Sequence, residues 1–239
     1  MPRYRLHPLD DCFERVRRTG EHLADFKSRV EVMFAEQAHA VGINFDPNPP
    51  YRALPPTLPS ETFYDLRIGI LVGEMFYNLR CALDYLVFEL AKIDSGSPQY
   101  ETQFLIEDSK EGFERNLRRG RLKGLNPAHV ALIETLQPYK GHEWLRRLRD
   151  RSNQDKHREL VQTGGSGAYY VHSSLEKDLS RCWGYEREAP HPVPEQPPVK
   201  VKVYISSSIT FRDGAPIVET IEEIQSEVAA ILDVFKPDF

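Results

Sequence analysis

The chain has 239 residues, 40% hydrophobic and 28% charged, a composition that suits one globular domain with decorations. Three scattered cysteines, Cys12, Cys81 and Cys182, exclude a disulfide framework, offer no metal-ligand spacing and point to a reducing cytosol. The formal net charge of −5 is unevenly spread: from Arg115 to Arg158 twelve basic residues stand against four acidic ones, an excess that suits either a polyanion or an acidic protein partner.

The start, Met1-Pro2-Arg3-Tyr4-Arg5, is followed by acidic residues and not by the apolar run of a signal peptide. From Asp10 to His39, Phe13, Val16, Leu23, Phe26, Val30, Met33 and Phe34 recur at three- and four-residue steps, which predicts a long amphipathic helix. Asp46 to Pro59 reads as a proline-rich loop, and Ser60 as the N-cap of a second helix, Glu61 to Lys92. That helix is apolar almost all round, as expected of a central helix, yet Arg67, Glu74, Arg80, Asp84 and Glu89 exclude a bilayer span. Arg67, Glu74 and Asn78 share one stripe, and Arg80 and Asp84 form an i, i+4 pair. Polar groups on so apolar a helix must find partners, so they are core struts or members of a site.

Asp94 to Pro98 ends the second helix, and Gln103 to Ile106 is a short extended piece. A small helix follows over Lys110 to Leu117, then a basic loop containing Arg119, Arg121 and Lys123. Asn126-Pro127 opens another helix to Leu136, with the asparagine as cap and the proline at its first position. A further helical region runs from His142 to Gln162. Beyond Thr163 the glycines Gly164, Gly165 and Gly167 read as a connector, Ala168 to His172 as a strand and Glu186 to Pro198 as a surface linker. Val199 to Ile205 alternates as a strand, Ile209 to Arg212 supplies another that turns at Asp213-Gly214, and Ile217 to Phe235 is a closing amphipathic helix. The expected fold is mainly α: residues 1–163 as a helical bundle and 164–239 as a small β appendage and closing helix, packed on the same domain.

Chemistry is sparse. No Walker-A lysine follows the glycines, no His-Glu-x-x-His occurs and no serine sits in a Gly-x-Ser-x-Gly elbow, so neither a metal nor a cofactor is expected. What remains is the polar run Arg149-Asp150-Arg151-Ser152-Asn153-Gln154-Asp155-Lys156-His157-Arg158. Trp144, Leu145 and Leu148 define an inward stripe that Ser152 and Asp155 would extend; alternatively the helix breaks and Ser152 and Asp155 form a capping box. Asn153 and His157 share a face in either case. His157 suits proton transfer near neutrality, with Lys156, Arg158 and Arg151 available to a phosphate; the plainer reading satisfies the ring with a carboxylate such as Asp155.

The segment Arg151 to His157 fits the Arg-x(4–6)-His pattern of the HEPN superfamily, and the bundle with its long apolar second helix also resembles that family. The stretches Asn78 to Leu86 and Asn153 to Arg158 further resemble a group of uncharacterised bacterial proteins of this length. The resemblance spans Glu61 to Gln162. It implies a metal-independent endoribonuclease of toxin–antitoxin or phage-defence systems, acting as a cytoplasmic homodimer with RNA and an antitoxin or defence-system protein as partners. In it Arg151 would stabilise the phosphate and His157 would activate the ribose 2′-hydroxyl. Asn153 would assist, Lys156, Arg158, Arg119, Arg121 and Lys123 would hold RNA, and Asn78, Arg80, Asp84 and Asp155 would support the site. Two competing readings are a non-catalytic helical binding or dimerisation module, and a single-stranded nucleic-acid binder that stacks bases on Phe113, Tyr139 and Trp144.

Overall fold

A computed structural model describes residues 7–40, 42–43, 45, 66–157, 163–172, 183–189, 191, 193 and 196–239. The expected proline-rich loop, the Ser60 cap, the first turn of the second helix and the end of the Arg/His helix lie outside these residues. The fold is mainly α, with six α-helices among the described residues and a small antiparallel sheet before the last of them. The chain forms two compact units interleaved in sequence: Met1–Asp25, Gly69–Gln162 and Ile217–Phe239 make the first, Phe26–Ile68 and Thr163–Pro216 the second. The closing helix therefore belongs to the first unit and not to the unit of the strands that precede it.

Helix α1 spans Asp10–Ala40, with Asp10 and Asp11 in its first turn, where carboxylates face the positive end of the helix dipole. Helix α2, Leu66–Ser95, is the central element of the first unit. Val72, Met75, Phe76, Leu79, Leu83, Leu86 and Leu90 on it are fully or almost fully buried, each contributing about 1.5–3 kcal/mol of transfer free energy. Its large apolar side chains that reach the surface are Leu66, Ile70, Tyr77, Tyr85 and Ile93, and Glu74 is exposed among them. Helix α3 covers Lys110–Arg118 and α4 Pro127–Thr135; Ser109 caps the first by accepting the Gly112 N–H and Asn126 caps the second by accepting the His129 N–H. After a 3-10 turn at Pro138–Lys140 comes α5, Glu143–His157. Helix α6, Ile217–Phe235, buries Ile221, Ile224, Val228, Ile231, Leu232 and Phe235, the inward stripe read from its period.

Three features of the sequence reading need correction. Helix α5 is continuous through Ser152, so no capping box forms there; Ser152 lies on the inward stripe and is 3% exposed. The glycine run is not a connector but part of β1, Thr163–His172, and the supposed linker begins inside β2, Trp183–Ala189. The two C-terminal strand segments are one strand, β3, Val199–Phe211. The order β1-β3-β2 puts β3 in the centre, antiparallel to both neighbours, with Gly165 opposite Ile209 and Glu186 opposite Lys202. A central strand supplies ladder hydrogen bonds on both sides, which lets a glycine-rich segment of low intrinsic strand preference remain extended. The expected turn follows: Gly214, at φ 85°, donates its N–H to the Phe211 carbonyl.

Candidate functional site

The polar residues of the first unit gather around one extended segment, Gln103 to Asp108, that runs between helices without joining a sheet. Phe104, Leu105 and Ile106 are buried, so their peptide groups need partners from outside the segment. Side chains provide them. Arg80 Nη2 donates to the Phe104 carbonyl at 2.5 Å while Asp84 Oδ1 accepts the Phe104 N–H at 2.9 Å. Gln137, fully buried, donates to the Leu105 and Ile133 carbonyls at 2.8 and 2.9 Å and accepts the Glu107 N–H at 2.9 Å. Arg149 Nη1 donates to the Ile106 carbonyl at 3.3 Å.

Beside this segment lies a cleft of about 290 Å³ lined by Arg80, Asp84, Gln103, Ile106, Glu107, Arg149 and Asn153. Helix α2 supplies the Arg80–Asp84 pair, closed at 3.0 Å, and α5 supplies Arg149 and Asn153. Arg149 is anchored by Asp108 at 3.0 Å and Asp150 at 2.9 Å, and Arg146 joins Asp108 at 2.8 Å. Burial pushes the Asp108 carboxyl up, but hydrogen bonds from Arg149 and Arg146 outweigh it and hold the group below its usual range. Burial lowers the Arg149 guanidinium, and the bonds to Asp108 and Asp150 more than restore it. The Gln103 and Asn153 amides have no hydrogen-bond partner among the described residues.

Of the residues singled out in the sequence, Arg80, Asp84 and Asn153 meet in this cleft. Asn78 is elsewhere: Arg15 of α1 donates to its Oδ1 at 2.9 Å, and its own Nδ2 donates to the Glu74 carbonyl. Arg151 does not line the cleft; on a regular helix it stands about 160° from both Arg149 and Asn153. His157 ends α5, four residues beyond Asn153, and the side chains of Asp155, Lys156 and His157, like all of Arg158, lie outside the described residues. Arg119 and Lys123 are exposed, and together with Arg115 and Arg118 they carry no carboxylate partner among the described residues. Arg121 reaches back to the Glu101 carbonyl at 3.2 Å, and its own carbonyl accepts the Gln103 N–H at 3.0 Å, which joins the basic loop to the rim of the cleft. Phe113 is 1% and Trp144 6% exposed, so neither offers a face for a base, which removes two of the three stacking residues of the single-strand-binder reading.

Sequence reading missed Gln137, and it named Arg149 in the polar run without giving it a role. It also missed a second polar knot, in which the His129 ring lies between Asp94 at 2.6 Å and Asp238 at 3.3 Å, with Asn126 bonding Asp94 through both its backbone N–H and its side-chain amide at 2.8 Å. The Asn126 cap was readable; its link across 32 residues to Asp94 was not. Among the described residues no group of His, Cys, Asp and Glu has the arrangement of a metal site, and no helix is long and apolar enough to cross a membrane. Compared with protein-family models, with curated proteins and with solved structures, the chain finds no match.

Proposed function

We propose that the protein is a metal-independent endoribonuclease of the cytosol, in the toxin–antitoxin or phage-defence setting that its Arg/His run suggests. His157 takes the proton of a ribose 2′-hydroxyl as that oxygen bonds to the adjacent phosphorus. The bond from phosphorus to the 5′-oxygen breaks, water protonates the leaving oxygen, and a 2′,3′-cyclic phosphate remains. The observation that carries this reading is that Asn153 lines an open polar cleft with Arg80 and Arg149, and that α5 runs unbroken from Asn153 to His157. On such a helix His157 is about 40° round and about 6 Å further along than Asn153. Arg149 takes the phosphate-stabilising role next to the cleft, and Arg151, on the far side of α5, enters only through a second copy of the chain. Arg115, Arg118, Arg119 and Lys123 guide the RNA backbone.

The test is cleavage of end-labelled RNA by the full chain with EDTA present, with product ends analysed and a thermal melt run in parallel. Folded His157→Ala should lose about 10²-fold or more of the rate, the usual contribution of a positioned base. Unchanged cleavage by that variant overturns the proposal.

A second reading, the non-catalytic binding or dimerisation module, draws on the internal engagement of the arginines: Arg80, Arg146, Arg147 and Arg149 all bond groups of their own chain. It expects no cleavage, and a lowered melting temperature for His157→Ala.

A further inference from the structure

We infer that Tyr100 and the basic loop beside it form a docking site for single-stranded RNA, the ring stacking on an unpaired base and the cations holding the flanking phosphates. The inference rests on the ribonuclease reading for its natural ligand, but the binding it describes needs no cleavage. Tyr100 is 80% exposed, more than any other large apolar or aromatic side chain among the described residues. An exposed ring needs no explanation by itself. What singles this one out is how it is held and what lies next to it. Thr102 Oγ1 donates to the Gln99 carbonyl at 3.1 Å, which closes the turn over residue 100. The Gln99 amide donates to the Ser95 and Ser97 hydroxyls at 3.2 and 3.1 Å. Glu101 stands at φ 68°, a left-handed conformation uncommon for residues other than glycine, and its carbonyl accepts Arg121 Nη1 at 3.2 Å. The ring leans on Phe88, with centroids 6.4 Å apart and planes tilted by 47°, and at its exposure a face stays open to solvent.

The same turn meets the basic loop on both sides of the ring. The Gln103 N–H donates to the Arg121 carbonyl at 3.0 Å, and Gln99 lies so close to Gly124 that a Cβ there would stand 2.7 Å from its Cγ. Residues 121–124 therefore run alongside residues 99–103, with Lys123 among them. Arg115, Arg118 and Arg119 lead into the loop from the end of α3, within about 100° of one another on the helix. These three and Lys123 are exposed, and no acidic residue occurs from Arg115 to Leu125. Glu101 is the acidic neighbour of the ring, a single carboxylate beside Arg121, Lys123 and the three arginines of α3. A single strand answers both features, since every nucleotide brings a phosphate and a planar face. A duplex offers the phosphates but keeps its base faces covered by their neighbours. An acidic protein would match the cations, but its contact would need a core depleted of charge, and the surface beside Tyr100 is charged. Stacking tolerates any base, so no sequence preference is expected of this site.

The test uses the full chain and labelled strands of about ten 2′-O-methyl nucleotides, a length typical of single-strand sites, whose blocked 2′-oxygen reports binding without cleavage. Fluorescence anisotropy over a range of salt compares an oligouridine strand, its duplex with oligoadenosine, and polyglutamate. The single strand should bind more tightly than the other two. Tyr100→Ala should weaken it about tenfold and leave the salt dependence unchanged, because a base stack is lost and no charge. Arg119→Ala should instead reduce the slope of log affinity against log salt by about 0.7. Tyr100→Phe keeps the aromatic face and should restore the affinity, and Tyr100→Trp should bind with its own fluorescence quenched by the strand. Both positions are exposed, and a melt confirms that each variant is folded. Parental affinity in Tyr100→Ala overturns the site, as does failure of the strand to bind. A duplex or polyglutamate bound as tightly as the single strand also overturns it. Tyr100-dependent binding of the blocked strand, with natural RNA left uncut, supports the site and removes the nuclease. Cleavage of natural RNA without any effect of Tyr100→Ala on affinity leaves the nuclease standing and removes the site.

Discussion

Arg80 and Asp84, one turn apart on α2, clasp both backbone polar groups of a single residue: the arginine holds the Phe104 carbonyl at 2.5 Å and the aspartate the Phe104 N–H at 2.9 Å. Their mutual contact at 3.0 Å makes a closed ring of four polar groups against a buried phenylalanine. Asp84→Ala removes one hydrogen bond to the buried segment and strands a guanidinium that is 12% exposed. The expected loss is about 2–3 kcal/mol, the range for a hydrogen bond to a charged group. Urea unfolding checks it, and a midpoint equal to that of the parent chain would show that water replaces the aspartate freely.

His129 is expected to be a stronger strut than its partner Asp238. Asp94 is 6% exposed at its side chain and Asp238 43%, so loss of the ring matters mainly to Asp94. His129→Ala should cost about 2–4 kcal/mol, a buried hydrogen-bonded group together with the packing of its ring against Phe235. Asp238→Ala, on a surface-exposed carboxylate, should cost less than about 1 kcal/mol. Equal shifts in melting temperature for the two variants would contradict this asymmetry.

Asp108 confers a pH dependence of defined sign. Its folded pKa lies below the ordinary carboxyl value, because Arg149 and Arg146 outweigh its burial. Its pairing therefore stabilises the fold fully above the unfolded carboxyl pKa of about 3.9 and is lost as pH falls through the lower folded value. Asp108→Asn should be less stable than the parent by a constant margin at pH 5–7 (about that range, above the titration). The margin should shrink below about pH 4 as the parent's own carboxylate is protonated. Denaturant midpoints taken down the pH scale decide it; a margin that stays constant in acid would refute the ion-pair account.

Ser152 presents the opposite case, a hydroxyl buried at 3% exposure with no hydrogen-bond partner among the described residues. Ser152→Ala removes an unsatisfied polar atom and improves helix propensity, so stability should hold or rise by up to about 1 kcal/mol. A loss of similar size by calorimetry would mean that the hydroxyl is satisfied after all.

The helices were legible because burial leaves a period of 3.6 in the sequence: α1, α4 and α6 each begin and end within about two residues of where caps and apolar steps put them. The sheet was less so. Val199 to Ile205 alternates visibly, but Gly164 to Gly167 and Glu186 to Ala189 have no strand signal of their own and become strands because β3 pairs with them on both sides. The candidate site divides in the same way. Arg80 and Asp84 could be picked out as a polar i, i+4 pair on a nearly all-apolar helix, and Asn153 by its i, i+4 spacing to His157. Arg149 and Gln137 resembled ordinary surface and turn residues, and only the course of the Gln103–Asp108 segment gives them a task.

Sequence alone determined the helical class, the inward stripes of α1, α5 and α6, the cap Asn126, and the short list of polar side chains that needed partners, because each depends on residues within one or two turns. Tertiary structure decided which partners those were. Arg80 and Asp84 close on Phe104 across about twenty residues, Gln137 on Leu105 across 32, and Arg149 on Ile106 across 43, since an extended segment buried among helices takes its hydrogen bonds from whatever side chains stand beside it.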